Sequence, residues 1–385
     1  MISRRNLVGA LGAGALLPGA LRAAPAPLSV PIRLTQSRVL VTVRFGDAGA
    51  AHWFAIDTGA VVNLIQTSLA KELRLPKLGT RTMTGAGGSE TMTIHVAERV
   101  VIGDAIGQRG LVFAEFPGRG LGEGVRGALA AGLLTTLDTD LDFGAGEWRV
   151  YPEGRASRSG FARLESEIRH VNGPAASAYI FADIELEGRT YRMLLDTGMP
   201  RPLTLFSPAT RKSGLWDDPR PWAPGRRGGV GGAGAMGRTV RLKSAKFGGV
   251  ALDPPTAFLL DPGAGISELR VDGMIGLPIL RRFNLSTQVK PGVLWAQPNG
   301  MAPGPDLYGL SGLWIGRAGK DLTAERVGRG SPAEAAGLRE GDRILGIGFD
   351  QLLDKISGPP GSEVVVQASR AGRSFEARIV LRDYL

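Results

Sequence analysis

Phe54-Ala55-Ile56-Asp57-Thr58-Gly59 decides the reading of this chain, because it returns as Met193-Leu194-Leu195-Asp196-Thr197-Gly198 at an offset of 139 residues. In both copies an apolar, strand-like run ends on Asp, followed by Thr and Gly. Later landmarks keep a common frame. Gly85-Ala86-Gly87-Gly88 faces Gly231-Gly232-Ala233-Gly234, Gly127-Ala128-Leu129-Ala130 faces Gly273-Met274-Ile275-Gly276, and Pro152 faces Pro298, each at an offset of 146. One insertion of seven residues, in the Pro/Arg/Gly-rich stretch from Trp216 to Gly229, reconciles the two offsets. Chance readily supplies one Asp-Thr-Gly in a chain with 57 glycines, but two in a matched frame mark a duplicated unit.

Outward from the motif, each unit opens on alternating strand-like segments. Arg38 to Arg44 precedes the first Asp-Thr-Gly and Tyr179 to Leu186 the second, with turns expected at Gly49 and Gly188. Helical signals are short, such as Thr67 to Leu73. The halves therefore read as mainly β, over residues 28–155 and 172–300, joined by the polar stretch Glu153 to Gly160. Aromatics make up only 6% of the chain and Pro numbers 25, which also favours strands and turns over long helices.

Composition removes several chemistries. With no Cys, thiolate catalysis, disulfides and zinc–thiolate sites are excluded. The three histidines, His52, His95 and His170, lie far apart and form no H-E-x-x-H helix, so no metal site is expected. No G-x-S-x-G nucleophile turn occurs. The formal charge of +10 comes from scattered Lys and Arg without interleaved aromatics, the pattern of a solvated surface and not of a nucleic-acid interface. Gly229-Val230-Gly231-Gly232-Ala233-Gly234 fits G-x-G-x-x-G, but Pro219 to Pro224 stand where a buried strand is required and no helix pattern follows, so no dinucleotide cofactor is read from it.

The remaining chemistry is that of paired carboxylates. A strand delivers each Asp to a tight turn, Gly lets backbone amides approach it, and the Thr hydroxyl can tie one loop to the other. If the halves pack about a two-fold axis, Asp57 and Asp196 meet. Two carboxylates that close hold one proton between them, so one can activate water while the other donates to a carbonyl. In these motifs the chain resembles the retropepsin-type aspartic peptidases, here fused in tandem as in pepsin-like enzymes, over residues 30–300. The resemblance implies a bilobal fold of two pseudo-symmetric β lobes, catalytic Asp57 and Asp196, and active-site loops formed with Thr58, Gly59, Thr197 and Gly198. It also implies flaps tipped by Gly85, Ala86, Gly87, Gly88 and by Gly231, Gly232, Ala233, Gly234, protein or peptide substrates, and no cofactor. No Tyr lies between Gly59 and Leu129 to serve as a flap tyrosine. Two departures, Ala130 in place of Gly and Met199 after the second Gly, leave a non-catalytic peptide-binding scaffold as the alternative.

Two terminal segments complete the reading. Beyond Pro303-Gly304-Pro305, residues 307–385 contain Val327 to Leu345, whose Ser331-Pro332-Ala333-Glu334-Ala335-Ala336-Gly337 core resembles bacterial PDZ domains. Ser331 reads as a helix cap, Pro332 as the first helical residue and Gly337 as the stop. The resemblance implies capture of peptide ends or extended segments, with a binding loop at Leu310, Ser311, Gly312 and Leu313. Residues 1–26 carry Arg4-Arg5 before a Gly/Ala/Leu stretch and a small-residue run, which resembles a twin-arginine export signal and implies a periplasmic protein.

Overall fold

The computed structural model describes residues 26–385, apart from 86, 118–120, 172, 174–175, 230–231 and 265–268; of Ala233 only the backbone is considered. The export-like segment thus lies outside the described residues, save Ala26. The duplication is visible strand by strand. In the first half the sheet runs Lys77–Gly85, Gly88–Ile102, Ile106–Phe116, Asn63–Gln66, Val125–Ala130, Ala51–Asp57, Val39–Phe45. In the second it runs Ala223–Gly229, Gly232–Arg241, Thr256–Leu260, Leu203–Leu205, Gly273–Gly276, Arg189–Asp196, Tyr179–Leu186. The two orders correspond over these seven strands; beyond them the first sheet adds Arg33–Leu34, and the second adds Ala245–Phe247, Val250–Leu252 and Ser166–Arg169. In both, the Asp-bearing strand pairs in parallel with the later apolar strand, Asp57 opposite Ala130 and Asp196 opposite Gly276. A strand buried on both sides must be apolar along its length, and Phe54, Ala55, Ile56 and Leu194, Leu195 are all buried.

A third sheet is built from both halves, in the order Leu28–Pro31, Glu147–Tyr151, Asp138–Asp142, Phe283–Gln288, Val293–Pro298, Ala162–Arg163. Its centre pairs Asp140 with Ser286, residues 146 apart in the chain, which places the pseudo-two-fold axis between them. Beside them the hydroxyls of Thr139 and Thr287 lie 3.1 Å apart. Strands Ala162–Arg163 and Ser166–Arg169 precede residue 172, yet both pair with the second half, on Val293–Pro298 and Tyr179–Leu186. One continuous core runs through the halves, from Phe54, Ile56 and Phe113 to Leu195, Leu205 and Phe283.

Residues 313–380 form a separate five-stranded sheet with its own core around Leu322, Ile344, Leu352 and Ile379. The helix Pro332–Ala335 starts where the sequence places it, with the Glu334 amide donating to Ser331 Oγ at 3.1 Å and the Gly330 amide to the Glu334 carboxylate at 2.7 Å. This module rests on residues 214–222 of the second half. The equivalent link in the first half is only residues 73–76. The Trp222 amide donates to Arg329 O at 3.1 Å, the Tyr384 hydroxyl donates to Trp222 O at 3.3 Å, and a Cβ on Gly328 would lie 2.1 Å from Trp222 O. The insertion detected by offset is therefore the seat of the C-terminal module. Among the described residues, no helix is long and apolar enough to cross a membrane.

Candidate active site

Each Asp ends its strand and turns back on itself. The Gly59 amide donates to Asp57 Oδ1 at 3.0 Å and the Gly198 amide to Asp196 Oδ1 at 2.8 Å. The Thr hydroxyls then cross between halves: Thr58 Oγ1 donates to Leu195 O at 2.8 Å and Thr197 Oγ1 to Ile56 O at 2.6 Å. Each hydroxyl also accepts from the opposite Thr amide, at 3.0 and 3.1 Å. Four reciprocal bonds thus hold the loops face to face, and both threonines are buried.

The glycines are required by this approach. A Cβ on Gly59 would stand 2.4 Å from Asp196 Cγ, and one on Gly198 would stand 2.5 Å from Asp57 Cγ. Each acid lies against the other loop's glycine, and the two carboxyls hydrogen-bond to one another. Burial raises the pKa of both. Asp196 is held well above the usual carboxylate range, first by burial and then by the charge of Asp57. For Asp57 the rise is opposed by the Arg38 guanidinium and the Gly59 and Ala60 amides, which favour its charged form.

Behind the loops, the departure at Ala130 has a structural account. The Gly276 amide donates to Pro202 O at 2.9 Å, and a Cβ there would meet Arg201 O at 1.9 Å and Met199 O at 2.7 Å. In the first half the Ala130 amide instead donates to the Asn63 side-chain Oδ1 at 2.9 Å. A side-chain acceptor reaches out to the loop where a backbone carbonyl would have to come close, and the methyl of Ala130 fits. Next along the chain, the symmetric bonds Ala131 N to Ala60 O (3.0 Å) and Leu277 N to Met199 O (2.9 Å) are intact.

Two long hairpins meet at their ends, since a Cβ on Gly87 would lie 2.1 Å from Gly232 O. The first closes at Gly85 opposite Gly88. The second closes at Gly229 opposite Gly232, so Ala233 lies on the returning strand opposite Gly228, and Gly234 follows it there. A register shift between Arg226 and Gly228 moves that tip. Ala86 and Gly231 lie outside the described residues. In the C-terminal module, Leu310, Ser311, Gly312 and Leu313 lead into the edge strand Leu313–Ala318. Gly312 has φ +65°, and its amide and that of Leu313 already donate within the loop, to Gly309 O and Ser311 Oγ.

Sequence reasoning passed over four side chains of this region. Arg38 Nη1 reaches across to donate to Gly198 O at 3.0 Å. Tyr179 is buried, and burial and the charges of Asp57 and Asp196 push its phenol up to about 12, so it stays neutral. Arg201 and Arg227 stand over aromatic rings of the second half, 4.5 Å from the centre of Phe258 and 4.9 Å from that of Phe206. The repeat frame was the available signal. It sets Tyr179 against Leu40 and Arg201 against Val62, polar residues where the first copy is apolar.

Residues 41–136 and 182–279 match a family of aspartyl proteases, one copy in each half and together just over half of the chain. The chain belongs to the aspartyl protease family. Among solved structures, it is similar to the aspartic proteinase from Irpex lacteus, at 15% identity and a TM-score of 0.48, over 71% of this chain and 98% of that one. A search of curated proteins finds no match.

Proposed function

We propose that this protein is an aspartic endopeptidase in which Asp57 and Asp196 act on one water. The observation that carries the reading is the mutual contact of the two carboxyls, each pressed against the opposite loop's glycine. Asp57, stabilised in its charged form by Arg38 and two amides, takes the proton from the water. Asp196, which holds the shared proton, donates it toward the scissile carbonyl. The touching hairpins at Gly87 and Gly232 serve as paired flaps that must part to admit a peptide and close over it. A peptide-binding scaffold has no need of two desolvated acids sharing a proton, and the Asn63 bond at Ala130 removes the reason to regard the first loop as degenerate.

The C-terminal module is proposed as a PDZ domain that receives an extended protein segment on the edge strand Leu313–Ala318, opposite its pairing with Asp321–Val327. With the Gly312 and Leu313 amides engaged, edge pairing is favoured over capture of a terminal carboxylate. Export through the paired Arg4-Arg5 segment completes the proposal; replacing both by Lys should leave precursor in the cytoplasm, and unchanged export would remove it. The central test is hydrolysis of a peptide library by the wild-type protein and by Asp57→Asn and Asp196→Asn. Loss of about a thousand-fold or more in both variants is expected, and unaltered hydrolysis in either would overturn the dyad.

A further inference from the structure

The two halves carry matching apolar clusters beside their Asp loops. The first is made by Leu40, Ala55, Leu64, Met92, Ala114 and Ala128, with Val62 packed on it. The second is made by Tyr179, Phe181, Leu194, Phe206, Phe258 and Met274, with Met199 packed on it. Position for position in the repeat frame, Val62 becomes Arg201. Arg81, which is exposed on the first hairpin, becomes Arg227, which is half-buried on the second. The Arg227 guanidinium lies over Phe206, its Nη2 is 3.5 Å from Met274 Sδ, and it feels the charge of Asp196. Arg201 lies over Phe258 and donates to Arg226 O at 3.3 Å. Among the described residues neither guanidinium has an ion pair. By contrast Arg169, over Phe181 in the same cluster, is paired with Glu167 at 3.0 Å.

Burial pulls the pKa of both Arg201 and Arg227 downward, opposed at Arg227 only in part by the charge of Asp196; both are cations stripped of water that, among the described residues, have no ion pair in return. An anion set against such a group makes charge-assisted bonds whose desolvation cost is already met in part. Resting on the peptidase reading above, we propose that the second half's substrate pocket selects a carboxylate: a cleaved peptide sets an Asp or Glu side chain, or its own terminal carboxylate, against Arg201 and Arg227. The first half's pocket takes an apolar side chain. Cleavage would therefore fall between an apolar residue and an acidic one, or close to an acidic chain end.

Matched fluorogenic peptides test this, differing only in Glu, Gln or Leu at one position next to the scissile bond, each with a free or an amidated C-terminus. The Glu peptide should exceed the Gln peptide in kcat/KM by about ten-fold or more; if instead amidation lowers the rate by that factor and the Glu/Gln choice does not matter, the chain end is the source of the carboxylate. In Arg227→Met the preference should collapse toward one, while Arg227→Lys should keep part of it; circular dichroism confirms that both variants are folded. Equal rates for Glu, Gln and amidated peptides in the wild type, or a preference untouched in Arg227→Met, would overturn the inference and leave the guanidiniums as ring covers. Should no peptide be cleaved, fluorescence anisotropy with the Asp57→Asn protein separates the two readings. Tighter binding of a carboxylate peptide, by about ten-fold, then upholds the pocket while the peptidase reading falls, and equal binding sinks the pocket as well.

Discussion

The two halves share one strand order, one loop and one hairpin, and differ in how the loop is backed and what is hung on the outside. The first half holds its Asp loop through the Asn63 side chain and tolerates Ala130; the second holds it through backbone carbonyls and has room only for Gly276. Burial pushes both acids toward the neutral form and Arg38 opposes it at both, while the charge of Asp57 adds to the rise at Asp196. The second half alone bears an enlarged link, on which the C-terminal module sits. A duplicated unit has thus kept the paired Asp-Thr-Gly loops in common and diverged in what surrounds them.

The backing of the loops gives the largest expected contrast. Gly276→Ala should destabilise the protein by about 3 kcal/mol and abolish hydrolysis, because the added methyl meets two carbonyls well inside contact distance. If Gly276→Ala melted like the wild type, the asymmetric backing would be wrong.

Removing residues 307–385 should leave the two halves folded but lower their melting temperature, since Trp222, buried beneath the module, becomes exposed. Turnover of a protein substrate should fall much more than that of a short peptide. An equal fall for both, with the remaining chain folded, would argue against recruitment by the module.

The raised pKa of Asp196 has a signature in stability. Below about pH 3.8 Asp196 is protonated in folded and unfolded chains alike; as pH rises, the unfolded chain releases its proton first, so stability declines until pH passes the raised folded value. Asp196→Asn cannot suffer that decline. Its denaturation midpoint should fall less steeply above about pH 4 than the wild type's. A decline as steep as the wild type's would contradict the raised acid. In the same direction, Arg38→Met removes a charge that favours both carboxylates, so both limbs of the pH–rate profile should move to higher pH. A downward move would contradict it. The smallest effect belongs to Ala130→Gly, which should cost about 1 kcal/mol or less and spare activity.

Much of this was legible because the repeat frame compares the chain with itself. It located Asp57 and Asp196, the strands that carry them, and the insertion near Trp216. What it could not convey was use. The insertion reads as loop composition, and only the bonds from Trp222 to Arg329 and Tyr384 reveal a seat. The second tip is displaced because a bulge at Arg226–Gly228 shifts the register by an amount no glycine pattern encodes. Strands Ala162–Arg163 and Ser166–Arg169 are too short for an alternating pattern and are fixed by partners far along the chain. Arg38, Arg201 and Arg227 belong to no motif. In a chain with 46 Lys and Arg, the repeat frame marks Arg201 against Val62, but Arg227 faces Arg81 in that frame and only its burial sets it apart from a solvated surface.

The crossed threonine bonds also set a timetable. During synthesis the first half emerges with its Asp57 loop, but Thr58 has no Leu195 to bind and Asp57 no Gly198 to lie against until the second loop has left the ribosome. The Asp140–Ser286 seam, which aligns the axis, waits for nearly a hundred residues more. A nascent or truncated chain therefore lacks the proposed peptidase site, which is complete only when nearly the whole of both halves has been made.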